Sequence, residues 1–371
     1  MKLTIERALL MKSLGHVQNV VEKRNTIPIL SNVKLEALQV SLALNATDMD
    51  LDIAETVKAD VAMEGAITAP AHTLHDIVRK LPDGSQVELE TSGDGQLFLR
   101  SGRSRFTLAC IPPEEFPVMA ADNLPHVFAI SADGLRRLID RTRFAISTEE
   151  TRYYLNGIYV HSLEKNGAPL MRAVATDGHR LASMEIPLPV GAEGMPGVIL
   201  PRKAVTELRK LLEDVDGDVE VALSDTKARF VLDGATMTSK LIDGTFPDYE
   251  RVIPSGNDKD LEVDRVQFNQ AVDRVSAISS DKSRAVKLEL TSGALTLSAS
   301  SPEHGSATEE IEVAYQGDAM EIGFNSRYLL DITQQIEGDK AHFSLADAAS
   351  PTILRESGDG SALYVLMPMR V

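Results

Sequence analysis

The sequence predicts an α+β protein built from three similar domains in series. Its 371 residues are too many for one ordinary core and suit two or three domains. A succession of strand, amphipathic helix and strand hairpins occurs three times, and helices on one face of antiparallel sheets define the α+β class. Aromatic residues make up only 5% of the chain and Trp is absent, so aliphatic side chains must fill the cores.

Each predicted domain opens with a short strand followed by an amphipathic helix. The three openings are residues 2–21, 127–147 and 260–279. Alternating apolar and polar residues then predict half-buried strands joined by turns. The triplet Ala-Thr-Asp at 46–48 recurs at 175–177, and Ala299 occupies the matching place in the third copy.

The second half of each domain is predicted to contain a strand, a helix, a turn and a strand. These halves are residues 66–90, 197–223 and 320–345. Pro70, Pro201 and the pair Asn325 and Ser326 mark the helix starts, because Pro suits a first helical position and Asn or Ser suits a cap. The six predicted helices are 6–24, 70–81, 131–144, 201–213, 264–278 and 325–337.

Two polar segments, 120–126 and 254–259, mark the joints between the domains. The predicted domains are 1–122, 127–254 and 256–371. Three similar units in series suggest an arc. An arc that repeats head to tail either closes into a ring or continues as a filament.

Charge is distributed unevenly between the helices and the rest of the chain. The net charge is −17, but the six predicted helices hold 17 Lys or Arg against 11 Asp or Glu, so the remainder carries −23. Helix propensity alone is one explanation. The other is that the helices face a polyanion, whose phosphates Lys and Arg neutralise without reading sequence. The candidate residues are Arg24, Arg79, Lys80, Arg136, Arg137, Arg141, Arg202, Lys203, Arg209 and Lys210.

Composition also indicates the compartment. Cys110 is the single cysteine, which excludes an internal disulfide framework and favours a reducing environment. The first 21 residues are amphipathic and contain charged side chains, unlike a signal peptide or a membrane span. We therefore expect a soluble, cytoplasmic protein.

Catalytic motifs are absent from the sequence. It has no phosphate loop, no Gly-x-Ser-x-Gly, no His-Glu-x-x-His and no cysteine cluster. The segment ATDGHRLA (175–182) places Asp177 near His179, but it offers two metal ligands at most and no nucleophile. Because the first repeat has the same Ala-Thr-Asp without His, we interpret Asp177 as a turn residue that bonds nearby backbone. We expect no catalytic residue, no metal and no cofactor.

Two other classes remain open from the residues alone. A hydrolase or metalloenzyme would use Asp177 and His179. An acidic scaffold would bind only proteins, in keeping with the net charge of −17.

Several long segments resemble the bacterial sliding clamps, the β subunits of DNA polymerase III. They are RYYLNG (152–157), ATDGHRLA (175–182), SKLIDGTFPDYERVIP (239–254) and YVLMPMRV (364–371), and RSGRSRFTL (100–108) and NTIPILSN (25–32) also fit. The resemblance implies a non-catalytic subunit of a DNA-directed nucleotidyltransferase. It also implies a head-to-tail homodimer closed into a ring (the DNA clamp fold) around duplex DNA, without sequence specificity.

The resemblance implies a pocket that binds short linear motifs of partner proteins. The partners are the DNA polymerase III α subunit, the clamp-loader δ subunit, other polymerases and repair proteins. A mostly apolar groove with a few polar groups suits such a motif, and Met side chains adapt to varied partners. The matching residues are Leu155, Thr176, Gly178, His179, Arg180, Leu181, Pro247, Arg251, Val252, Val365, Met367, Pro368, Met369 and Arg370.

The same resemblance implies DNA contacts and a dimer contact. For DNA it points to Arg24, Tyr153 and Tyr154, whereas Glu149 and Glu150 should weaken phosphate contact. The implied dimer contact places Phe106 and Leu108 against Ala277 and Ile278, with Arg103 and Arg105 near Glu303 of the partner subunit.

Overall fold

A computed structural model describes residues 1–23, 26–92, 95–119, 123–279 and 284–370. The chain forms two compact units. Unit 1 comprises Met1–Leu135, Pro189–Pro196 and Lys203–Leu241. Unit 2 comprises Arg136–Leu188, Gly197–Arg202 and Ile242–Val371.

The described residues contain six α-helices, one in each place that the sequence predicts. They are α1 (Arg7–Val17), α2 (Ala71–Lys80), α3 (Ala132–Asp140), α4 (Arg202–Leu211), α5 (Arg265–Ser276) and α6 (Ser326–Thr333). None of these described helices has both the length and the apolar character needed to span a membrane.

Helix ends differ from the prediction in places. Helix α1 is predicted to continue to residue 24 but ends at Val17. Beyond it, the N–H groups of Val20 and Val21 bond to carbonyls three residues earlier, as in a turn, instead of four residues earlier, as in an α-helix, and both side chains are buried. Pro70 is the last residue of a strand and precedes the first helical residue of α2. Asn325 caps α6 as predicted, since its Oδ1 accepts from the backbone N–H groups of Arg327 and Tyr328.

Unit 1 contains two antiparallel sheets. Numbered in chain order, its strands are β1 (Lys2–Glu6), β2 (Asn32–Leu38), β3 (Ser41–Thr47), β4 (Leu51–Lys58), β5 (Asp60–Met63), β6 (Gly65–Pro70), β7 (Gln86–Thr91), β8 (Gln96–Ser101), β9 (Ser104–Ala109), β10 (His126–Ser131), β15 (Asp218–Leu223), β16 (Lys227–Leu232) and β17 (Ala235–Lys240). The sheet orders are β5-β1-β7-β8-β9 and β10-β15-β16-β17-β4-β3-β2-β6. Leu10 and Leu14 of α1 and Leu74 of α2 are fully buried in this unit.

Unit 2 also contains two antiparallel sheets. Its strands are β11 (Gly157–Lys165), β12 (Ala168–Thr176), β13 (Arg180–Pro187), β14 (Val198–Pro201), β18 (Lys259–Asp264), β19 (Ala285–Thr291), β20 (Ala294–Ser301), β21 (Gly305–Glu312), β22 (Ala314–Tyr315), β23 (Met320–Asn325), β24 (Lys340–Leu345), β25 (Thr352–Glu356) and β26 (Asp359–Leu366). The sheet orders are β14-β11-β12-β13-β26-β25-β24-β18-β22 and β21-β20-β19-β23. Helix α5 packs on α6, and Phe268 stacks edge-on against Phe343 in the core.

Each unit contains the same kind of joint between two predicted repeats. In unit 1 the last strand of the second repeat, β17, pairs with β4 of the first, and Met237 lies opposite Ile53. In unit 2 the last strand of the third repeat, β26, pairs with β13 of the second, and Tyr364 lies opposite Ala182. The equivalent strands β9 and β21 are the end strands of their sheets.

The half-buried carboxyl of Asp52 on β4 in unit 1 has a perturbed pKa that can be tested. Asn45 Nδ2 donates to Asp52 Oδ1 over 3.2 Å, while Asn45 Oδ1 is buried and finds no donor within the described ranges. Burial raises the pKa of Asp52 to about 6 from 3.8, so the charged form destabilises the folded state above about pH 6. As the pH falls from 6 towards 4, the folded state binds the extra proton and this penalty disappears.

Asp52→Asn is therefore expected to raise the free energy of unfolding at pH 7 by about 1–2 kcal/mol. The new amide has no charge to desolvate, and its Nδ2 can donate to Asn45 Oδ1. Thermal unfolding at pH 7 and pH 4 measures the effect, which should vanish at pH 4. The exposed Asp60→Asn variant is the control. A lower melting temperature of Asp52→Asn at pH 7 would contradict the prediction.

Candidate functional site

The segment ATDGHRLA forms a tight turn between β12 and β13. Asp177 Oδ1 accepts from the backbone N–H groups of His179 and Arg180 over 2.9 and 3.0 Å. Thr176 Oγ1 donates to the carbonyl of Arg180 over 2.7 Å and accepts from the N–H of Gly178 over 3.1 Å. Gly178 has φ +89°, a left-handed conformation that favours glycine. The interpretation of Asp177 as a turn residue is confirmed.

The first repeat builds the same turn between β3 and β4. Asp48 Oδ1 accepts from the N–H groups of Asp50 and Leu51, Thr47 Oγ1 donates to the carbonyl of Leu51, and Met49 has φ +76°. The two turns therefore share one hydrogen-bond pattern, and this pattern explains why the triplet Ala-Thr-Asp recurs.

The turn leaves Asp177 poorly suited to act as a base or a metal ligand. Its Oδ1 accepts two backbone N–H groups, and its Oδ2 accepts from Arg180 Nε over 3.1 Å. The described residues hold no group of three or more His, Cys, Asp or Glu arranged for a metal ion. These contacts favour a structural role for Asp177 over the hydrolase alternative.

The residues Gly-His-Arg-Leu that follow Asp177 in the second repeat have separate roles. The His179 carbonyl accepts from the N–H of Met367 over 2.9 Å, and the His179 ring stacks on Tyr328 with 6.3 Å between the ring centres. Leu181 is buried. Arg180 is also buried, and its guanidinium lies 4.3 Å from the centre of the Tyr328 ring.

Arg180 bonds to three elements of unit 2. Besides Asp177, it donates through Nη1 to Asp331 of α6 over 2.6 Å and through Nη2 to the carbonyl of Phe144 over 2.7 Å. Because these bonds occupy the guanidinium, we interpret Arg180 as a support of the turn rather than a group that is free to bind a ligand.

An apolar cluster in unit 2 gathers three of the predicted pocket residues. Its buried members are Leu155, Val174, Leu181, Ile199, Phe246, Tyr249 and Val365. Beside Phe246 and Tyr249 in the chain, Pro247, Arg251 and Val252 are exposed, and Val252 keeps 49% of its surface accessible. Apolar side chains that remain accessible beside such a cluster are typical of a ligand groove.

The C-terminal residues extend beyond β26. Met367 is 39% exposed and bonds to His179, and the N–H of Met369 donates to the carbonyl of Gly323 over 2.8 Å. Pro368 is half-buried and Arg370 is exposed. The last strand is therefore followed by a segment held at two backbone points, with Met367 available at its surface.

Sequence reasoning missed several residues of this region. Phe246 and Tyr249 belong to the apolar cluster, and Tyr328 stacks on His179. A side chain at position 178 would meet Arg152 Nη1 at 2.7 Å, so Arg152 also adjoins the turn. The first two lie within the segment 239–254 that carries the resemblance, whereas no local signal relates Tyr328 to the turn.

The residues predicted to contact DNA differ in their availability. Arg79, Lys80, Arg137 and Arg202 have exposed side chains, and Arg209 is half-buried. Tyr153 is 53% exposed and meets Tyr154 edge-on. Arg24 lies outside the described residues.

Several of these cations bond within the protein, for example Arg79 with Asp76 and Arg137 with Asp359. Arg141 and Lys203 show how such bonds can fix structure. Arg141 is buried and pairs with Glu337 over 2.8 Å. Lys203 Nζ donates to the Val20 carbonyl over 2.8 Å and to Glu22 and Asp48 over 2.6 Å each. Burial would lower the pKa of Lys203, but the bonds to Asp48 and Glu22 outweigh it and the pKa is raised. Both residues therefore fix structure, and their DNA role stays a prediction.

The residues predicted for the dimer contact lie at or near the end strands β9 and β21. Arg103 and Arg105 are exposed, Phe106 is half-buried and Leu108 is buried. The remaining residues, Ala277, Ile278 and Glu303, are at least partly accessible.

Three family models together match nearly the whole chain. They are the N-terminal, central and C-terminal domains of the DNA polymerase III beta subunit, at residues 1–120, 129–248 and 250–370. The chain belongs to this family. Both the predicted family and the predicted three-domain α+β fold are confirmed. Members of this family are sliding clamps, and the chain is accordingly a non-catalytic subunit of DNA polymerase III.

Named relatives of this family align with the chain from end to end. The beta sliding clamp of Caulobacter vibrioides is 55% identical over 372 residues and that of Escherichia coli K12 is 37% identical over 374 residues, with full coverage of both chains in each case. The solved sliding clamp of Bartonella birtlesii bound to griselimycin has a TM-score of 0.96 at 51% identity, with full coverage of both chains.

A second solved structure is the beta sliding clamp of Caulobacter crescentus with polyethylene glycol bound to its proposed beta-motif tethering region. It has a TM-score of 0.96 at 55% identity and covers 100% of this chain and 99% of its own.

Proposed function

We propose that two copies of the chain join head to tail into a ring that encircles duplex DNA and tethers the replicative polymerase. The ring rests on the joint that the chain makes twice, β17 with β4 and β26 with β13. The equivalent strands β9 and β21 are left at sheet ends, so a second copy can pair with each of them. Two such joints would close a dimer.

The two existing joints also predict the register of the third. In the hairpin β8–β9 the pair nearest the turn ends at Ser104, and Phe106 lies two residues further along β9. In the hairpin β16–β17 the pair nearest the turn ends at Ala235, and Met237 lies two residues further along β17, so Phe106 corresponds to Met237. On the other strand of the joint, Ala307 of β21 lies opposite Ala299 of β20, just as Ala182 of β13 lies opposite Ala175 of β12, so Ala307 corresponds to Ala182. We therefore expect Phe106 to lie opposite Ala307 of the second copy. This register brings Arg103 and Arg105 near Glu309 and Glu310 of that copy rather than near its Glu303.

A cavity beside β9 supports the same contact. It has a volume of about 360 Å³, and its lining includes Ile77 and Leu81 together with Phe106. The exposed Ala277 and half-buried Ile278 at the end of α5 offer apolar surface of matching character. We expect these two residues of the second copy to cover the cavity.

The proposed DNA contacts are non-specific. The exposed cations Arg79, Lys80 and Arg137 lie on helices, and side chains of this type neutralise phosphates without reading bases. The half-buried Arg209 and the exposed Arg202 are further candidates, and Tyr153 can stack on an unpaired base.

The proposed partner site is the apolar cluster with its exposed neighbours Pro247, Val252 and Met367. A groove of this kind accepts a short linear motif with paired aliphatic or aromatic residues. Through it, the chain would bind the DNA polymerase III α subunit, the clamp-loader δ subunit, other polymerases and repair proteins. The holoenzyme so formed would act as a DNA-directed nucleotidyltransferase in the cytoplasm. The domain limits that we propose are 1–122, 127–254 and 256–371.

The experiment that tests the ring uses topology. The protein is placed on nicked circular DNA by a clamp loader, isolated by gel filtration, and the DNA is then cut once. We expect retention on the circle and release within seconds to minutes after cutting, because a ring slides off a free end.

Equal retention on circular and linear DNA would contradict the ring and favour ordinary binding. Equally rapid loss from both would favour the alternative of an acidic scaffold that binds only proteins. The control is the same linear DNA with a bulky protein bound at each end, because blocked ends should prevent the ring from sliding off and so restore retention.

A further inference from the structure

A partly buried polar network adjoins the apolar cluster of the proposed pocket. It consists of His161 on β11, Arg172 on β12, Glu185 on β13, and Tyr249 and Glu250 in the 3₁₀ turn Tyr249–Val252. We call these five residues the Arg172 network. Arg172 is 8% exposed, and its long side chain reaches from the sheet to the turn.

Arg172 donates through all three guanidinium nitrogens in this network. Nε and Nη2 donate to Glu185 Oε1 over 2.9 and 2.5 Å. Nη1 donates to the hydroxyl of Tyr249 over 2.7 Å and to Glu250 Oε1 over 2.8 Å. The guanidinium therefore ties two strands to the turn, and such a fork cannot be replaced by a lysine.

The charges in the network stabilise each other. Burial alone would raise the pKa of Glu185, but hydrogen bonds from Lys165 and Arg172 outweigh it and hold the pKa below its usual range. Burial raises the pKa of Tyr249, so its hydroxyl stays protonated and can donate.

His161 determines where the Tyr249 proton points. The Tyr249 hydroxyl accepts from Arg172, so its own proton is directed to His161 Nε2, which lies 2.8 Å away. His161 Nδ1 lies 3.1 Å from the carbonyl of Ser162, which can only accept, so Nδ1 carries the ring proton. The neutral form of His161 fits both bonds.

The surroundings of His161 also favour that neutral form. Burial, with the Arg172 guanidinium, lowers the pKa of His161, although the Ser162 carbonyl and the Glu250 carboxylate act in the opposite direction. The ring of Tyr159 stacks on His161 with 4.8 Å between the centres, and Tyr249 packs at 5.9 Å.

The turn that this network holds carries part of the proposed pocket. Tyr249 contributes its ring to the apolar cluster, and Arg251 and Val252 follow it at the surface. We propose that Arg172 and His161 are positioning residues of the partner pocket, because they fix the turn Tyr249–Val252 in the conformation that receives a partner peptide. The proposal rests on the partner pocket put forward above.

Tyr249→Phe tests the network with the smallest change. It removes one hydroxyl and keeps the ring in the apolar cluster. The probe is a fluorescein-labelled synthetic peptide that contains Gln and paired Leu and Phe residues, and its affinity is measured by fluorescence anisotropy. We expect binding about 3- to 10-fold weaker than native, because the variant loses the bonds of the hydroxyl to Arg172 and His161 and the turn is held less firmly.

Tyr315→Phe is the matched control for this substitution. Tyr315 is also a buried tyrosine of unit 2, and its hydroxyl donates to the carbonyl of Asp318 over 2.6 Å. Removing this hydroxyl should reduce the melting temperature by a similar amount but leave peptide affinity unchanged. Thermal unfolding confirms that both variants fold.

His161→Gln gives a readout that simple destabilisation would not produce. A Gln amide oxygen can accept from the Tyr249 hydroxyl at every pH. Because burial lowers the pKa of His161, we expect native affinity to fall only on the acid side of the usual histidine range, where the ring protonates, and the His161→Gln variant to lose this decline. His179 is present in both proteins, so the difference between their pH profiles reports His161.

The outcomes separate the two proposals. If the native protein does not bind the peptide, the partner pocket is wrong and the positioning role fails with it. If native protein binds but Tyr249→Phe binds equally well, only the positioning role is wrong. Equal losses in Tyr249→Phe and Tyr315→Phe, or identical pH profiles of native protein and His161→Gln, would also overturn it.

Discussion

Replacing Phe106 with Asp is expected to convert the proposed dimer into monomers across the micromolar range. Phe106 pairs with Leu99 in the hairpin β8–β9, so it shares the buried face of the sheet, and β9 is the end strand available to a second copy. Burying a Phe contributes about 1.5–3 kcal/mol, and a closed dimer contains the joint twice. The dissociation constant should therefore rise by about 10²- to 10⁴-fold, as measured by sedimentation velocity.

Phe98→Asp is the matched control for this variant. Phe98 lies on the neighbouring strand β8 opposite Thr107, on the other face of the sheet, and is 40% exposed. The same substitution there should leave the dimer intact. A Phe106→Asp protein that stays dimeric at nanomolar concentration would contradict the proposed joint, as would an equal effect of Phe98→Asp.

The monomeric variant should also separate the two functions of the chain. Loss of the closed ring should abolish retention on circular DNA. Peptide affinity should remain, because the apolar cluster and the turn Tyr249–Val252 lie wholly within unit 2, whereas β9 belongs to unit 1. A parallel loss of peptide binding would indicate unfolding rather than dissociation.

The repeat pattern shows how far the sequence determined the fold. Hydrophobic periodicity and capping residues located all six described helices, and Asn325 caps α6 as expected. The recurrence of Ala-Thr-Asp predicted a turn, which Asp48 and Asp177 both form. Such features depend on residues that are close in the chain, where local hydrogen bonds decide the conformation.

Contacts between distant residues could not be predicted in this way. His161 and Tyr249 are 88 positions apart, and Lys203 meets Asp48 across 155 positions. The count of basic residues in helices treated Lys203 as a surface cation, yet it bonds to three acceptors within unit 1. The pairing of strand edges also depends on packing, because alternating apolar and polar residues predict a strand but not the strand that pairs with it.

A chain that ends at Leu366 is expected to lose peptide affinity by at least about 100-fold while it stays folded and dimeric. The variant removes Met367, whose N–H bonds to His179, and Met369, whose N–H bonds to Gly323. Strand β26 keeps its pairing with β13, since Leu366 opposite Arg180 is the last pair. Losing the apolar surface of two Met side chains accounts for about 3 kcal/mol, which corresponds to roughly 100-fold.

Met367→Leu is the control that distinguishes the side chain from the backbone segment. Leu keeps a similar apolar volume, so affinity should change by less than about 10-fold. Fluorescence anisotropy with the labelled peptide measures both variants, and sedimentation velocity checks the dimer. If the shortened chain binds the peptide as the native protein does, the partner site does not include the C-terminal segment. If it becomes monomeric, β26 depends on that segment, and the separation between pocket and ring is wrong.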